Sequence, residues 1–486
     1  MLFNSIEYAL FLPFVFLVYW TIGYVRIHDS IRLQLQNAFV VIASYVFYGW
    51  WDWRFLILIA ITSFCSWGSG LLITKSQEPR AKNKFWLTAN IVLNLGILAT
   101  FKYYDFFVSE FGALFGISTE SLLLRIILPV GISFYTFQAL SYSIDVYRGN
   151  IKPTKDIIAF FAFISFFPQL VAGPIERATN LLPQFLQKRT FSYEQGVDGM
   201  RQILWGLFKK IVIADNCATF VDQVWATYDT QGGSTLLLAA VLFTFQIYGD
   251  FSGYSDIAIG TAKLFGIKLM RNFNNPYFSR DIAEFWRRWH ISLTTWFRDY
   301  VYIPLGGSRV SKAKIVRNTF VIFLLSGFWH GANWTFIAWG AYHAVLFLPL
   351  ILLGLNRKYT NQVAQGRLLP TWKETGQILL TFMLAVIGWV IFRAQTITDA
   401  WYYICGMMQV ETLRASYLFF VQHGIRTTCW LCIVMLIVEW MQRNRQHGLD
   451  IAHVRPVWRV VIFVVLVEVI LFFVPATPSS FIYFQF

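Results

Sequence analysis

The sequence predicts an all-α, polytopic integral membrane protein, and three observations carry this prediction. Of the 486 residues, 57% are hydrophobic and only 14% are charged, whereas soluble domains carry roughly 25% charged residues. Apolar runs close to the roughly 20 residues that cross a bilayer recur from end to end. Basic residues are concentrated in the short loops between these runs. We therefore predict about eleven transmembrane helices, in one membrane-embedded domain over residues 1–486.

The net charge of +14 is explained by membrane topology and not by nucleic-acid binding. The basic loops are expected to face the cytoplasm under the positive-inside rule and to contact anionic lipid headgroups there. We therefore expect membrane lipids, and no nucleic acid, among the partners. The residues of three such loops are Lys75, Arg80, Lys82 and Lys84; Arg148, Lys152 and Lys155; and Arg443, Arg445, Arg455 and Arg459.

The first apolar run is long enough to be a retained span, and no small-residue cleavage site marks it as a signal peptide. The spans predicted in the N-terminal third are 6–25, 35–50, 53–74, 85–101 and 121–147, and those in the C-terminal third are 334–354, 376–396, 426–441 and 457–475. Two segments contain helix breakers: Pro129 and Gly131 in one, and Pro168 and Pro174 at the end of the run from residue 157. Such breaks predict re-entrant elements around a cavity, which satisfies the freed backbone groups.

Residues 200–222 have an amphipathic pattern that predicts a helix lying partly in the membrane interface, with Arg201, Lys209 and Lys210 on its basic side. Asp250 and Asp256 follow in the apolar run 235–265. Carboxylates in such a run are either bonded to helix ends or downstream basic residues, or take part directly in chemistry. Asp250 is therefore a candidate substrate-binding residue.

The five cysteines are scattered through apolar sequence, and we interpret them as packed thiols. The C-x-x-C at Cys429 and Cys432 has no second pair of soft ligands near it, so we predict no metal site.

The stretch 326–334 places His330 inside an apolar run, where a titratable side chain is expensive and usually lines a cavity or pathway. Gly327 and Gly331 let another backbone or a slender ligand approach the imidazole. Trp329 and Trp334 are expected to wall it with flat apolar surface. Packing of the histidine in the core is the alternative.

Residues 281–300 have apolar side chains at 282, 286, 289, 293, 296 and 300. This spacing predicts one continuous amphipathic helix, with His290 at the edge of its apolar stripe. Arg287 and Arg288 are candidates for binding the phosphates of a charged donor, because guanidinium pairs well with phosphate. Contact with lipid headgroups is the alternative for both.

Several motifs in this order resemble the membrane-bound O-acyltransferases, and among them the bacterial alginate O-acetylation branch. The motifs are 272–277, 284–292, 296–300, 303–307 and 328–334, with further similarity at 128–147, 168–174 and 250–256. The resemblance implies a multi-helix fold around a central tunnel, with re-entrant and interfacial helices and a catalytic core at about 120–350. It also implies the multi-pass topology of a bacterial cytoplasmic (inner) membrane protein.

The resemblance assigns the family's invariant histidine to His330 and its second histidine to His290. It implies transfer of an acetyl group from a cytosolic thioester, acetyl-CoA, with no bound cofactor, to an extracytoplasmic polysaccharide such as alginate, together with a secreted or periplasmic partner protein. His330 is then the general base, and His290 orients the donor or acceptor or shares the proton. Asn333 either donates to the oxyanion or caps a helix.

Three alternatives stay open at this point, and one of them is an assembly scaffold for a secreted glycan-modifying enzyme. A D-alanyl or other acyl transferase acting on teichoic acid or peptidoglycan belongs to the same class. A transporter of polymer or acyl carrier, without acyl-transfer chemistry, would explain the broken spans and the intramembrane aspartates equally well.

Overall fold

The structure, a computed structural model, describes residues 1–75, 80–171, 173–409, 425–474 and 481–482, and these ranges contain helices and loops but no strand. The centre of the basic loop predicted at 75–84, and residue 475 at the end of the last predicted span, lie outside the described residues.

The described helices are joined by connections that range from single residues to long loops such as 265–281 and 353–371. In chain order they are α1 Ile6–Tyr24, α2 Asp29–Gly49, α3 Phe55–Lys75, α4 Arg80–Lys102, α5 Tyr104–Phe115, α6 Ile132–Arg148, α7 Ile157–Ser165, α8 Phe167–Leu170, α9 Ala178–Phe185, α10 Tyr193–Leu207, α11 Asp215–Ala226, α12 Gly233–Leu264, α13 Ile282–Arg288, α14 Ile291–Phe297, α15 Lys312–His330, α16 Trp334–Leu352, α17 Trp372–Arg393, α18 Ile397–Met407, α19 Ile425–Met441 and α20 Pro456–Phe472. Two π-helical segments, Phe208–Ala214 and Arg298–Tyr302, follow α10 and α14.

Six helices in the described ranges are both long and apolar enough to cross a bilayer. They comprise Ile6–Tyr24, Phe55–Ile73, Lys82–Lys102, Gly233–Leu264, Trp334–Leu352 and Trp372–Arg393. The chain is thus a multi-pass membrane protein, and the total of about eleven spans stays a prediction. The span predicted at 121–147 was wrong in its extent, because α6 begins only at Ile132, after Gly131 with a φ of 75°.

The described residues form two compact units, 1–200 with 258–270, and 201–257 with 271–486. In the first unit, both predicted helix breaks occur. Gly131 precedes α6, and a Cβ on it would lie 2.5 Å from the Leu170 carbonyl oxygen at the end of α8. Glycine at this position therefore allows one broken segment to touch the backbone of the other.

The second unit contains a buried cluster of charge, two lysines of which the sequence placed in the membrane interface. Lys209 and Lys210 lie in the first π-helical segment and are 3% and 0% exposed. Lys209 Nζ lies 2.5 Å from Asp256 Oδ2, and Lys210 Nζ lies 2.9 Å from Asp250 Oδ1. The interfacial prediction for these two lysines was wrong, because both ammonium groups are neutralised by carboxylates inside the protein.

In the same unit, α15 and α16 pack with their backbones in contact. A Cβ on Gly327 would collide with the Phe336 carbonyl oxygen, and one on Gly331 with the Phe336 ring. The sequence allowed either another backbone or a slender ligand to approach at these glycines. In the structure, it is another segment of the chain, α16, that packs against them. The packing brings α16 against the end of α15, where His330 lies.

We expect Gly327→Ala to lower the free energy of unfolding by about 1–3 kcal/mol, because the added methyl group forces the two helix backbones apart. The thermal midpoint of the purified protein in detergent measures this loss. Gly376→Ala is the matched control, because that helical glycine has open space where a Cβ would be added. Equal midpoints for the two variants would contradict the packing argument.

Candidate functional site

His290 lies at a break between two short helices. It has a φ of 43° and a ψ of 54°, a left-handed conformation that is uncommon for a residue other than glycine. The prediction of one continuous helix over 281–300 was therefore wrong. The apolar spacing is retained on both sides, but the backbone turns at His290, so that the ring is 1% exposed and not at a wet edge.

The segment 272–274 holds the break in place. The Asn274 amide donates to the Arg288 carbonyl at 2.9 Å, and the Ile291 amide donates to the Asn272 carbonyl at 2.9 Å. These bonds replace those that a continuous helix would have made across the turn. Backbone strain of this kind is about 1–3 kcal/mol and is retained where surrounding structure fixes it.

The imidazole of His290 is bonded on one side only, among the described residues. Nδ1 lies 3.1 Å from Asn272 Oδ1, and Nε2 is buried without a hydrogen-bond partner in that part of the chain. Around the ring, Phe251 makes an edge contact with a centroid separation of 4.6 Å. Burial lowers the pKa of His290, which lies outside the six spans, to about 3, so the imidazole is neutral at physiological pH.

His330 is the last residue of α15 and is 4% exposed. Aromatic rings surround it: the centroids of Trp329, Trp339 and Phe392 lie 5.0, 5.2 and 5.2 Å from its own. The Trp339 indole N–H is buried and has no hydrogen-bond partner in the described ranges. It is therefore a hydrogen-bond donor beside the imidazole that a bound oxygen can use.

Trp329 brings the two histidines into one site. Its ring makes edge contacts with both imidazoles, at centroid separations of 5.9 Å from His290 and 5.0 Å from His330. Forty residues separate the histidines in the sequence, and both contact this indole because it is reached by the break after α13 and by the end of α15.

Asn333 and Trp334 were also predicted beside His330, and the two side chains lie in different environments. Asn333 caps α16, since its Oδ1 accepts from the Thr335 amide at 2.9 Å and its Nδ2 donates to the Gln395 carbonyl at 3.0 Å. The sequence allowed Asn333 two roles, donor to the oxyanion or helix cap, and the structure contains the helix cap. Trp334 is 49% exposed, so only part of its surface faces other residues of the protein.

The guanidinium groups of Arg287 and Arg288 are bonded within the chain. Arg287 donates to the carbonyls of Asn356 and Tyr359, the latter at 2.6 Å. Arg288 lies 2.8 Å from Glu284 in a salt bridge and donates to Gln362 at 2.9 Å. Both side chains thereby fasten the loop that follows α16. The bonds of Arg288 use all of its donors, whereas Arg287 uses two of its five.

Asp250 and His343 are also bonded to other groups of the chain. Asp250 Oδ2 accepts from the Ile482 amide at 2.6 Å, and Oδ1 pairs with Lys210. His343 is 1% exposed, and its Nδ1 lies 3.3 Å from the Trp286 indole nitrogen. Of the predicted site residues, the structure therefore gathers His290, His330 and Trp329, and it bonds Asp250 into the charged cluster.

Asn272 was missed as a site residue. Its motif carried the resemblance, but the asparagine precedes its imidazole partner by 18 positions, and no helical or strand period predicts a contact at that spacing. The only local signal was the pair of asparagines before Pro276, which is typical of a turn.

A multi-pass helical protein with two imidazoles buried around one tryptophan has the parts of a membrane acyltransferase, in which a neutral histidine takes a proton from a hydroxyl. The comparisons with known proteins agree with this class. The chain belongs to the MBOAT, membrane-bound O-acyltransferase, family, whose sequence model matches residues 152–360.

Curated relatives cover nearly the whole chain. A probable alginate O-acetylase AlgI of Pseudomonas aeruginosa is 42% identical over 79% of this chain and 72% of its own length. The protein of the same description in Pseudomonas putida is 36% identical over 99% of both chains. A peptidoglycan O-acetyltransferase of Helicobacter pylori is 32% identical over 97% of this chain and 96% of its own. The protein is accordingly an O-acyltransferase of the membrane-bound family.

Proposed function

We propose that this protein transfers an acetyl group from a cytosolic thioester, acetyl-CoA, toward the O-acetylation of an extracytoplasmic polysaccharide such as alginate. The observation that carries the proposal is the pair of buried histidines around Trp329. The names of the P. aeruginosa and P. putida relatives favour alginate as the acceptor, whereas the H. pylori name favours peptidoglycan. We place the protein in the bacterial inner membrane, where a cytosolic donor and an extracytoplasmic acceptor can both reach it.

The reaction joins the acceptor oxygen to the acetyl carbon and breaks the bond between that carbon and sulfur. The hydroxyl proton must leave as the new bond forms, and the thiolate of CoA must gain a proton. His330 acts as the general base, and base catalysis of this kind is worth about 10²- to 10⁴-fold in rate. The Trp339 N–H, beside the same imidazole, is the donor to the developing oxyanion. Asn333 is less suited to that role, because its amide caps α16 and bonds Gln395.

A secreted or periplasmic partner completes the transfer in this proposal, with the acceptor hydroxyl on the glycan or on the partner. Neither CoA nor a polysaccharide needs a bound cofactor for this exchange. Arg288 holds the loop after α16, since its donors are occupied by Glu284, Gln362 and carbonyls, whereas Arg287 uses two donors on that loop and stays a candidate for binding the phosphates of CoA.

The test is acetyl transfer from radiolabelled acetyl-CoA by the purified protein in liposomes, with and without candidate secreted partners. Label is expected to leave CoA in the presence of an acceptor. A transporter without acyl-transfer chemistry would consume no donor, so an absence of turnover with folded protein and every partner would overturn the proposal.

We expect His290→Ala to lower this acetyl-transfer rate by at least about 10²-fold, since the second imidazole of the site is lost. The same assay measures the change, and protein abundance in the membrane controls for folding. Wild-type activity in the variant would reduce His290 to a packing residue.

A further inference from the structure

Asn272 has an orientation that its neighbours determine. Its Oδ1 accepts from the Ser292 backbone amide at 3.3 Å and from the Ser292 hydroxyl at 2.9 Å, while Nδ2 lies 3.1 Å from Ser255 Oγ. A backbone N–H can only donate, so the amide atom that faces Ser292 must be the oxygen. Asn272 is 0% exposed, which leaves solvent no part in this choice.

This orientation determines the tautomer of His290. The Ser292 hydroxyl lies 3.4 Å from His290 Nδ1 but donates to the nearer Asn272 oxygen at 2.9 Å. That oxygen lies 3.1 Å from Nδ1 and can only accept, so Nδ1 must carry the proton. In a neutral imidazole Nε2 then holds a lone pair. That nitrogen is buried and has no hydrogen-bond partner among the described residues, and a buried polar atom left without a partner calls for an explanation.

We propose that Asn272 is a positioning residue that holds His290 in the Nδ1–H tautomer, so that its Nε2 lone pair shares with His330 the proton released by the acceptor hydroxyl during acyl transfer. This inference rests on the proposed function for its chemistry. It selects one of the roles left open for His290, that of sharing the proton with His330, and it excludes a purely orienting role through Nε2–H.

The proton is conserved in this step. The acceptor O–H bond breaks as the C–O bond forms and the C–S bond breaks, and the proton, taken by His330 and shared with His290 Nε2, then passes to the CoA thiolate. The left-handed backbone at His290 serves the same arrangement, because the turn at φ 43° places Nδ1 against Asn272. Strain retained at such a position is typical of functional sites.

The carboxylates near the His290 imidazole are each paired with a lysine. Asp250 and Asp256 on α12 are paired with Lys210 and Lys209, and His330 approaches from α15 behind Trp329. Burial alone lowers the pKa of His290. A carboxylate in place of the Asn272 amide would therefore be the first negative charge to contact the ring and would raise this pKa.

Asn272→Asp tests the proposal while keeping every contact. A carboxylate accepts from Ser292 and from His290 Nδ1, and the Ser255 hydroxyl can rotate to donate to it. We expect the acid limb of the pH–rate profile to move to higher pH by about 1–3 units, since an adjacent negative charge stabilises the imidazolium that must be neutral to act as a base. Asn272→Leu, which removes the acceptor, should lower kcat by about 10²-fold, with KM little changed.

Asn274→Asp is the matched control, because it adds the same charge two residues away on the same segment without replacing the amide that contacts Nδ1. Its acid limb should move by less than that of Asn272→Asp. Equal shifts for the two variants, or an unchanged profile in Asn272→Asp, would overturn the positioning role.

A second measurement does not depend on turnover. The side-chain nitrogen NMR signals of ¹⁵N-histidine-labelled protein in micelles separate a protonated Nδ1 from a protonated Nε2, and loss of a signal in His290→Gln identifies His290. We expect Nδ1–H in the wild type, and a protonated Nε2 would refute the inference even if Asn272→Leu fails to fold. An Nδ1–H signal in a protein that turns over no acetyl-CoA would instead refute the proposed function and leave the tautomer assignment standing.

Discussion

His330→Ala is expected to stop acetyl transfer while leaving the protein in the membrane at wild-type abundance. The variant loses the general base, which is worth about 10²- to 10⁴-fold in rate. The imidazole is enclosed by Trp329, Trp339 and Phe392, so its removal leaves a small space in a rigid aromatic wall and does not expose the site. The measurement is release of labelled acetyl from acetyl-CoA in liposomes with the acceptor or partner present.

His343→Gln is the matched control for the loss of a buried histidine. His343 lies in the same unit, and its bond to the Trp286 indole can be retained by the glutamine oxygen. It is expected to keep most of the wild-type rate, because His343 contacts the Trp339 ring, at a centroid separation of 5.0 Å, but takes no part in the proton transfer proposed for His330 and His290. If the two variants have equal rates, His330 is a packing residue and the assignment of the base is wrong.

This experiment also separates the classes that the sequence left open. A transporter of polymer or acyl carrier would turn over no donor in either protein. A scaffold for a secreted acetylating enzyme would show the same glycan acetylation with His330→Ala as with the wild type. Only an acyltransferase loses donor turnover with this imidazole while the control keeps it.

The membrane class and the close packing beside His330 were predictable from the sequence, because both depend on local properties. Apolar length predicts a span whatever the helix packs against, and a histidine between glycines in an apolar run marks a close approach. The structure adds which segment approaches, since Gly327 and Gly331 both face Phe336.

The backbone break at His290 was not predictable from local properties. The apolar spacing over 281–300 continues through His290, because α13 and α14 each bury the same kind of face. The break depends on bonds from Asn272 and Asn274, which lie outside the window in which a helical period can be read. Lys209 and Lys210 were misplaced for a related reason, since their carboxylate partners on α12 come some forty residues later.

Lys210→Met is expected to destabilise the protein by about 3–5 kcal/mol, the cost of leaving buried charge without its partner. The Lys210 ammonium lies 2.7 Å from Asp215 Oδ1 and 2.9 Å from Asp250 Oδ1, and all three side chains are almost fully buried. One cation thus compensates two carboxylates, and its loss affects both. Because native proteins are stable by only about 5–15 kcal/mol, we expect little folded variant in the membrane.

Thermal unfolding in detergent and abundance in the membrane measure the effect, and Lys263→Met is the control. Lys263 pairs with Asp198 at 2.5 Å, but the two side chains are 17% and 35% exposed, so water replaces the lost partner and the cost is about 1 kcal/mol or less. Adding Asp250→Asn to Lys210→Met should recover part of the stability, because an amide oxygen still accepts from the Ile482 amide. A Lys210→Met protein as stable as the Lys263 control would show that the cluster is hydrated, and Asp250 would then return as a candidate for binding substrate.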